Sequence, residues 1–229
     1  GWKEKLKPFY EKAKKMLGAT QAEYLGESDY ILKSASENFD KKDSFKKVEV
    51  GVFFDNPGQK TKDPYFSGKG PDRSGCVLCG GCMVGCRYNA KNTLDKNYLY
   101  LAEQLGAQIE AEKEVISVKK NKDQYIVQYK KSTGFLRYSG TLKAKKVIFS
   151  GGVMGSVKLL LKCKTNHDLP LLSNCLGDYV RTNSESILGI RSRSINKDLN
   201  KGLAISAGFR PDKNTNIETV RYGKGQNSM

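Results

Sequence analysis

One histidine, one tryptophan and six prolines are all that the 229 residues hold of those types. No apolar run approaches the roughly 20 residues that cross a bilayer. The opening Gly1-Trp2-Lys3-Glu4-Lys5-Leu6-Lys7-Pro8 lacks the charged stretch followed by an apolar stretch that marks a secretory leader. The sequence therefore predicts a soluble, cytoplasmic chain with no transmembrane segment. The lone histidine, His167, stands in the polar run Thr165-Asn166-His167-Asp168 with no evident partner to orient an imidazole, which predicts a surface turn rather than a catalytic base. The Gly-x-Gly-x-x-Gly pattern that clamps a dinucleotide pyrophosphate occurs nowhere in the chain. No internal repeat is evident.

Positive charge is abundant, with 40 Lys and Arg against 24 Asp and Glu and a net charge of +16. Its placement decides what it means. Lysine pairs recur at 14–15, 41–42, 46–47, 119–120, 130–131 and 145–146, mostly at the ends of apolar segments, and no run reaches five or six basic residues. A nucleic-acid binder would show clustered arginines or an aromatic platform. Neither is present, so the expectation is a solvated basic surface and no nucleic-acid partner.

Periodicity predicts mixed α and β structure. Leu6, Phe9, Ala13, Met16 and Leu17 recur at helical spacing over residues 3 to 17, and Gly18 follows as a stop signal. A second helix is expected after Ser28 as its cap, running towards Asn38. Val48, Val50, Val52 and Phe54 alternate as a strand before the turn at Asp55-Asn56-Pro57-Gly58. Residues 55 to 75 read as a long loop, a feature that is uncommon unless functional. Leu94, Tyr98, Leu101 and Leu105 predict a helix capped by Asn92 or Thr93. A short strand at 107–110 is followed by three β-rich runs, 114–119, 124–130 and 135–142, which form an expected antiparallel meander. Val147-Ile148-Phe149 predicts a strand running through Ser150-Gly151-Gly152 into a helix over 157–161, an α/β signature. Strands are also expected near 187–191 and 203–209.

Two segments carry candidate chemistry. At Ser150-Gly151-Gly152-Val153-Met154-Gly155-Ser156, small residues at a strand-to-helix turn let a ligand phosphate approach unpaired helix amides; tight packing alone would explain the same glycines. Cys76, Cys79, Cys82 and Cys86 follow C-x2-C-x2-C-x3-C, a spacing that brings thiolates around an iron-sulfur cube. Arg87 replaces the proline that follows in bacterial ferredoxins, and Cys163 or Cys175 would have to supply a substitute ligand. An iron-sulfur cluster, a zinc site and buried or redox-active thiols are the readings left open.

The stretch Val147 to Ser156 with Leu159-Leu160-Leu161 resembles a signature of the glucose-methanol-choline (GMC) FAD-dependent oxidoreductases. Asn89-Ala90-Lys91-Asn92-Thr93-Leu94-Asp95-Lys96-Asn97-Tyr98-Leu99, Leu169-Pro170, Leu176-Gly177 and Val180-Arg181-Thr182-Asn183 are similar to the cholesterol oxidase-like branch of that family, in order and separation, from about residue 9 to about residue 220. The resemblance implies an internal fragment of a flavoenzyme that oxidises an alcohol, in the sterol class, by hydride transfer to FAD. It implies part of a Rossmann-type FAD-binding domain with a β-meander insertion, plus part of an antiparallel-sheet substrate domain. The expected domains are 1–75 in the substrate domain, 76–162 in the FAD domain with the meander at 114–142, and 163–229 in the substrate domain again. By position, Val115 would meet the adenine through its backbone, and Ser150, Gly151, Gly152 and Gly155 would lie beside the adenosine part of FAD. Glu218, in Ile217-Glu218-Thr219-Val220, stands where that branch carries a buried catalytic carboxylate. Many family members also carry Cys-Gly-x-Cys-x-x-Gly-Cys without a cluster, which Cys79 to Cys86 matches. The partners implied are an alcohol substrate and the missing N- and C-terminal segments of the parent enzyme. The alternative is an iron-sulfur electron-transfer module built on Cys76, Cys79, Cys82 and Cys86.

Overall fold

The computed structural model of the protein describes residues 1–181, 183–194 and 196–225; Thr182 of the Val180 to Asn183 match lies outside them. Its elements, in chain order, are α1 Trp2–Leu17, β1 Thr20–Gln21, α2 Glu27–Asn38, β2 Lys46–Lys47, β3 Glu49–Val50, β4 Lys60–Thr61, β5 Arg73–Ser74, α3 Tyr98–Gln104, β6 Lys113–Asn121, β7 Gln124–Lys131, β8 Ser139–Ala144, α4 Gly152–Thr165, β9 Ala207–Phe209 and β10 Ile217–Glu218. Single 3₁₀ turns stand at Lys42–Ser44, Gly81–Val84 and Leu94–Lys96. The chain divides into two compact units, one of residues 1–107 with 191–229 and one of residues 108–190. These boundaries differ from the expected domain limits at 75 and 162, and they place the cysteine loop with residues 1–75.

In the first unit, α1 ends as the sequence predicts, with Gly18 in the left-handed conformation at φ 55°. Its apolar stripe does not enter a core, because none of its residues is buried. α2 starts at Glu27, two residues earlier than expected, and Ser28 is not its cap. The Asp29 carboxylate instead accepts from the Gly26 N–H at 2.8 Å, satisfying an orphan donor at the helix start. The same carboxylate accepts from Thr219 Oγ1 at 2.8 Å and pairs with the Arg221 guanidinium at 2.5 Å, with both side chains buried. Of the expected strand Val48 to Phe54 only β3 forms, antiparallel to β1, with an isolated bridge from Val52 to Lys91, while β2 just before it pairs antiparallel with β9. β10 completes the β2-β9 sheet. Ala22, Val52, Ala90 and Leu203 form the core cluster, with Val50, Phe54, Cys76, Leu78 and Cys86 packed on it.

The stretch from 55 to 75 is less irregular than its composition predicts, because β4 and β5 pair antiparallel. Their connecting loop wraps around Asp63, whose carboxylate accepts N–H bonds from Tyr65, Phe66, Gly68 and Gly70 at 2.8–3.1 Å. Partial burial disfavours that charge, but the four backbone donors outweigh it and hold the Asp63 carboxyl below the ordinary 3.8. Because the folded value is depressed, this stabilisation is present above pH 3.8 and is lost as pH falls below it. The expected result is that loop 63–70 opens as pH falls from 3.8 through the lower folded value of Asp63, whereas Asp63→Asn, which lacks the carboxylate at every pH, shows no such pH step. Amide exchange at Gly68 and Gly70 across that pH range, corrected for intrinsic rates, measures it.

In the second unit β6, β7 and β8 form the predicted antiparallel meander in that spatial order. The third strand begins at Ser139 rather than at residue 135. α4 packs on β6: Val118 N–H donates to Cys163 Sγ at 3.4 Å, and Ser117 Oγ donates to Asp168 Oδ2 at 2.8 Å. The helix is longer than predicted and begins directly at the glycine turn.

Three expected strands are not formed among the described residues, at 107–110, 147–149 and 187–191. Among the described residues every strand ladder is antiparallel, and the isolated bridges Pro57 to Gly75 and Cys79 to Gly202 are parallel. Val147 to Phe149 reads as a buried parallel strand, but such a strand needs hydrogen-bonding neighbours and cover on both faces. It finds neither here, and Ile148 is 88% exposed. The architecture is therefore mixed α and β with small antiparallel sheets. The chain exposes 17309 Å², whereas two separate compact bodies of these sizes would together expose about 12,000 Å². Trp2, Phe9, Phe135, Leu136, Ile148, Leu171, Ile187 and Ile190 are among the apolar side chains left in water.

Candidate functional site

The glycine turn lies at the N-terminus of α4, where Gly151 is the cap residue and no side chain caps the helix. The first turn has no acidic residue, so its free N–H groups and the positive end of the helix dipole stay available to an anion. Ser150 is exposed, and Gly152 has φ +78°. A side chain added at Gly152 or Gly155 would meet nothing within 4 Å. At Gly155 this is informative, because glycine inside a helix costs about 0.5–1 kcal/mol relative to alanine and no neighbour here requires it.

Val115 lies in the same unit, on β6, an edge strand of the meander. The register with β7 shifts between Val115 and Ser117, a bulge that leaves Ile116 unpaired and bends the strand. Nothing in the residue pattern signals that bulge. It adds free backbone groups beside the position expected to meet an adenine.

The cysteine loop belongs to the first unit. Cys76, Cys79, Cys82 and Cys86 all line one small cavity of about 10 Å³, with Val52, Tyr88 and Lys91 among its other walls. Gly80 turns the loop in the left-handed conformation at φ 69°. There its N–H donates to Gly202 O at 2.8 Å while Gly202 N–H donates to Leu78 O at 2.8 Å. A Cβ at Gly80 would sit 2.2 Å from the Asn200 carbonyl oxygen, so glycine is required on both counts.

The four thiols differ in character. Cys76 is half-buried, and burial pushes its thiol up to about 11 against the opposing Leu78 N–H, with the other three cysteines adding to the rise. At Cys86 burial also opposes the thiolate, but donation from Lys91, Ala90 and Tyr88 N–H groups and the Lys96 charge outweigh it and lower the value. Ala90 N–H lies 3.3 Å from Cys86 Sγ. Cys79 is exposed.

Iron-sulfur, zinc and free thiols are the readings the sequence leaves open for Cys76, Cys79, Cys82 and Cys86. Among the described residues no group of three or more His, Cys, Asp or Glu side chains is set to hold a metal ion. Two of the four sulfurs, those of Cys76 and Cys86, accept N–H bonds from their own loop. Neither the iron-sulfur nor the zinc reading gains support.

Beside the loop lies a feature the sequence did not reveal. Arg73 is buried: its Nε donates to Asn92 Oδ1 at 2.7 Å and its Nη2 to Lys96 O at 2.8 Å, and its guanidinium lies 5.7 Å from the Tyr65 ring centroid. Asn92, expected as a helix cap, serves this network instead. Asn97 Oδ1 accepts from Tyr98 N–H and caps α3. Glu218 lies in β10 paired with Gly208. Its exposed carboxylate accepts from Asn216 Nδ2 at 2.9 Å. His167 is exposed in the left-handed turn after α4. Glu218 belongs to the first unit, and Val115, Ser150, Gly151, Gly152 and Gly155 belong to the second.

Comparison with known proteins gives one consistent result. The chain is 41% identical over 239 aligned positions to a cholesterol oxidase of Acinetobacter baumannii, with all of this chain and 43% of that protein covered. It is 40% identical over 237 positions to a cholesterol oxidase of Mycobacterium tuberculosis, strain CDC 1551 / Oshkosh, covering 41% of it, and matches that of strain H37Rv to the same extent. The chain thus spans less than half the length of the curated relatives it matches. No family model matches the chain, and no solved structure does.

Proposed function

We propose that this chain is the central portion of a GMC-type flavin-dependent oxidoreductase that oxidises an alcohol of the sterol class. The observation that carries the reading is 40–41% identity over the whole chain to cholesterol oxidases, while only 41–43% of their length is matched. The excess of exposed apolar surface supports it physically, because adjoining segments of a parent enzyme would cover those faces. Val147 to Phe149 would then join the parallel sheet of a Rossmann-type domain whose glycine-rich βαβ unit lies outside this chain, and residues 1–75 and 163–229 would contribute to the substrate domain.

The residues of the turn fit FAD. Ser150, Gly151 and Gly152 offer an open approach to an uncapped helix N-terminus, Gly155 keeps the next turn clear, and Val115 sits at a bulged strand edge. When bound, FAD supplies the hydride acceptor. The chain's own residues hold the adenosine side of the cofactor, and Glu218 is the candidate base that takes the hydroxyl proton.

The test is to purify the protein made from the whole reading frame that contains this chain. A yellow protein with a flavin absorption spectrum, reduced by a 3-hydroxysteroid under anaerobic conditions, is the expected result. A colourless protein that neither copurifies with nor binds added FAD would overturn the reading. Gly155→Ala separates fold from cofactor. It is expected to stabilise the 229-residue chain by about 0.5–1 kcal/mol, read from its urea midpoint, while weakening FAD retention in the whole protein.

A further inference from the structure

We propose that the loop from Cys76 to Cys86 is an oxidative modification site, in which Cys86 is the peroxide-reactive thiol and Cys82 is its resolving partner. The flavin reading is not needed for this.

The geometry singles out Cys86. Cys86 lines the cavity shared by all four cysteines and is itself partly exposed. It accepts the Ala90 N–H at 3.3 Å, a contact that favours developing negative charge on sulfur. The Lys96 charge acts on the same sulfur, its ammonium donating to Lys91 O at 3.3 Å. No comparable donor set surrounds Cys79, which is the more exposed residue, so accessibility and activation point to different thiols.

Cys82 is singled out by how it is held. It lies on the 3₁₀ turn Gly81–Val84, and its carbonyl accepts from Lys91 Nζ at 2.9 Å. Lys91 directly follows Ala90, so one side chain ties the Cys82 turn to the backbone that cradles the Cys86 sulfur. Gly85, at φ 99° and ψ 157°, reverses the chain between the two cysteines.

The chemistry closes with a hydroperoxide as oxidant. The Cys86 thiolate attacks the O–O bond; the sulfur is oxidised to a sulfenic acid, and the peroxide is reduced, leaving as hydroxide or alkoxide. The Cys82 thiol then attacks the sulfenic sulfur, forming the S–S bond and releasing water. Two electrons leave the protein in total, and an added dithiol restores both thiols.

The experiment treats the full chain with a few equivalents of hydrogen peroxide, alkylates the remaining thiols and maps them by mass spectrometry. The expected product is a Cys82–Cys86 disulfide reversed by dithiothreitol. In untreated protein Cys86 should react with iodoacetamide about tenfold or more faster than Cys76, and faster than exposed Cys79 and Cys175. In guanidinium all six cysteines should react at similar rates. Cys82→Ser is expected to accumulate a Cys86 sulfenic acid that dimedone traps. If that variant fails to fold, the wild-type labelling rates still decide the matter. First oxidation at Cys79 or Cys175, equal folded-state rates at Cys86 and Cys76, or Cys86 oxidation that yields no disulfide would overturn the proposal.

Discussion

Asp29→Ala is expected to cost about 3–5 kcal/mol, the range for removing one partner of a buried ion pair. The loss is large because three elements depend on one carboxylate. It caps α2 through Gly26 N–H, accepts from Thr219 Oγ1 and neutralises Arg221, whose side chain is only 3% exposed. Without it the guanidinium keeps only longer contacts, to Lys201 O at 3.3 Å and Ser206 Oγ at 3.4 Å. Domains have about 5–15 kcal/mol of total stability, so the first unit would stand near its unfolding threshold. Urea unfolding followed by circular dichroism measures the shift. The double variant Asp29→Ala with Arg221→Met should be distinctly more stable than the single one, since no buried charge remains unpaired. A single-variant loss below about 1 kcal/mol would instead match a solvated pair.

Glu218→Gln in the whole protein is expected to lower kcat by about 10²–10⁴-fold, the contribution of a positioned general base, with KM little changed. The fold should not register the substitution. The Glu218 carboxylate is exposed and its hydrogen bond is to Asn216, two residues away, and surface substitutions of this kind stay within about 0.5 kcal/mol. Steady-state kinetics with a steroid alcohol, paired with unfolding curves, separates the two effects. Retained turnover would remove Glu218 from the chemistry.

The sequence made local structure legible where local forces decide it. α1 ends at the predicted glycine, and the meander follows its alternating pattern and turn residues. It failed where a partner segment decides. Val147 to Phe149 has the composition of a buried strand but forms no ladder here, because a parallel strand is defined by its neighbours. α1 is amphipathic as its stripe predicts, yet none of its residues is buried. Caps were misassigned for a different reason: Ser28 and Asn92 are good capping types, yet at α2 Asp29 takes the Gly26 N–H, and Asn92 is engaged by Arg73 across 19 positions of sequence while Asn97 caps α3. The cysteine spacing was legible as a cluster of thiols lining one cavity. Its chemistry was not, because ligand convergence depends on the left-handed turn at Gly80 and its anchoring to Gly202.

The amount of surface already in water also sets how the chain responds to denaturant and heat. The denaturant slope and the heat capacity of unfolding both scale with the surface that unfolding newly exposes. For a chain whose folded form exposes 17309 Å², that increment is small for its length. A broad unfolding transition and a flat stability curve are therefore expected, read from urea titration and calorimetry. Under the proposed reading, segments of a parent enzyme that covered α1 and Val147 to Phe149 would add cooperativity as well as affinity, turning a gradual transition into a sharp one.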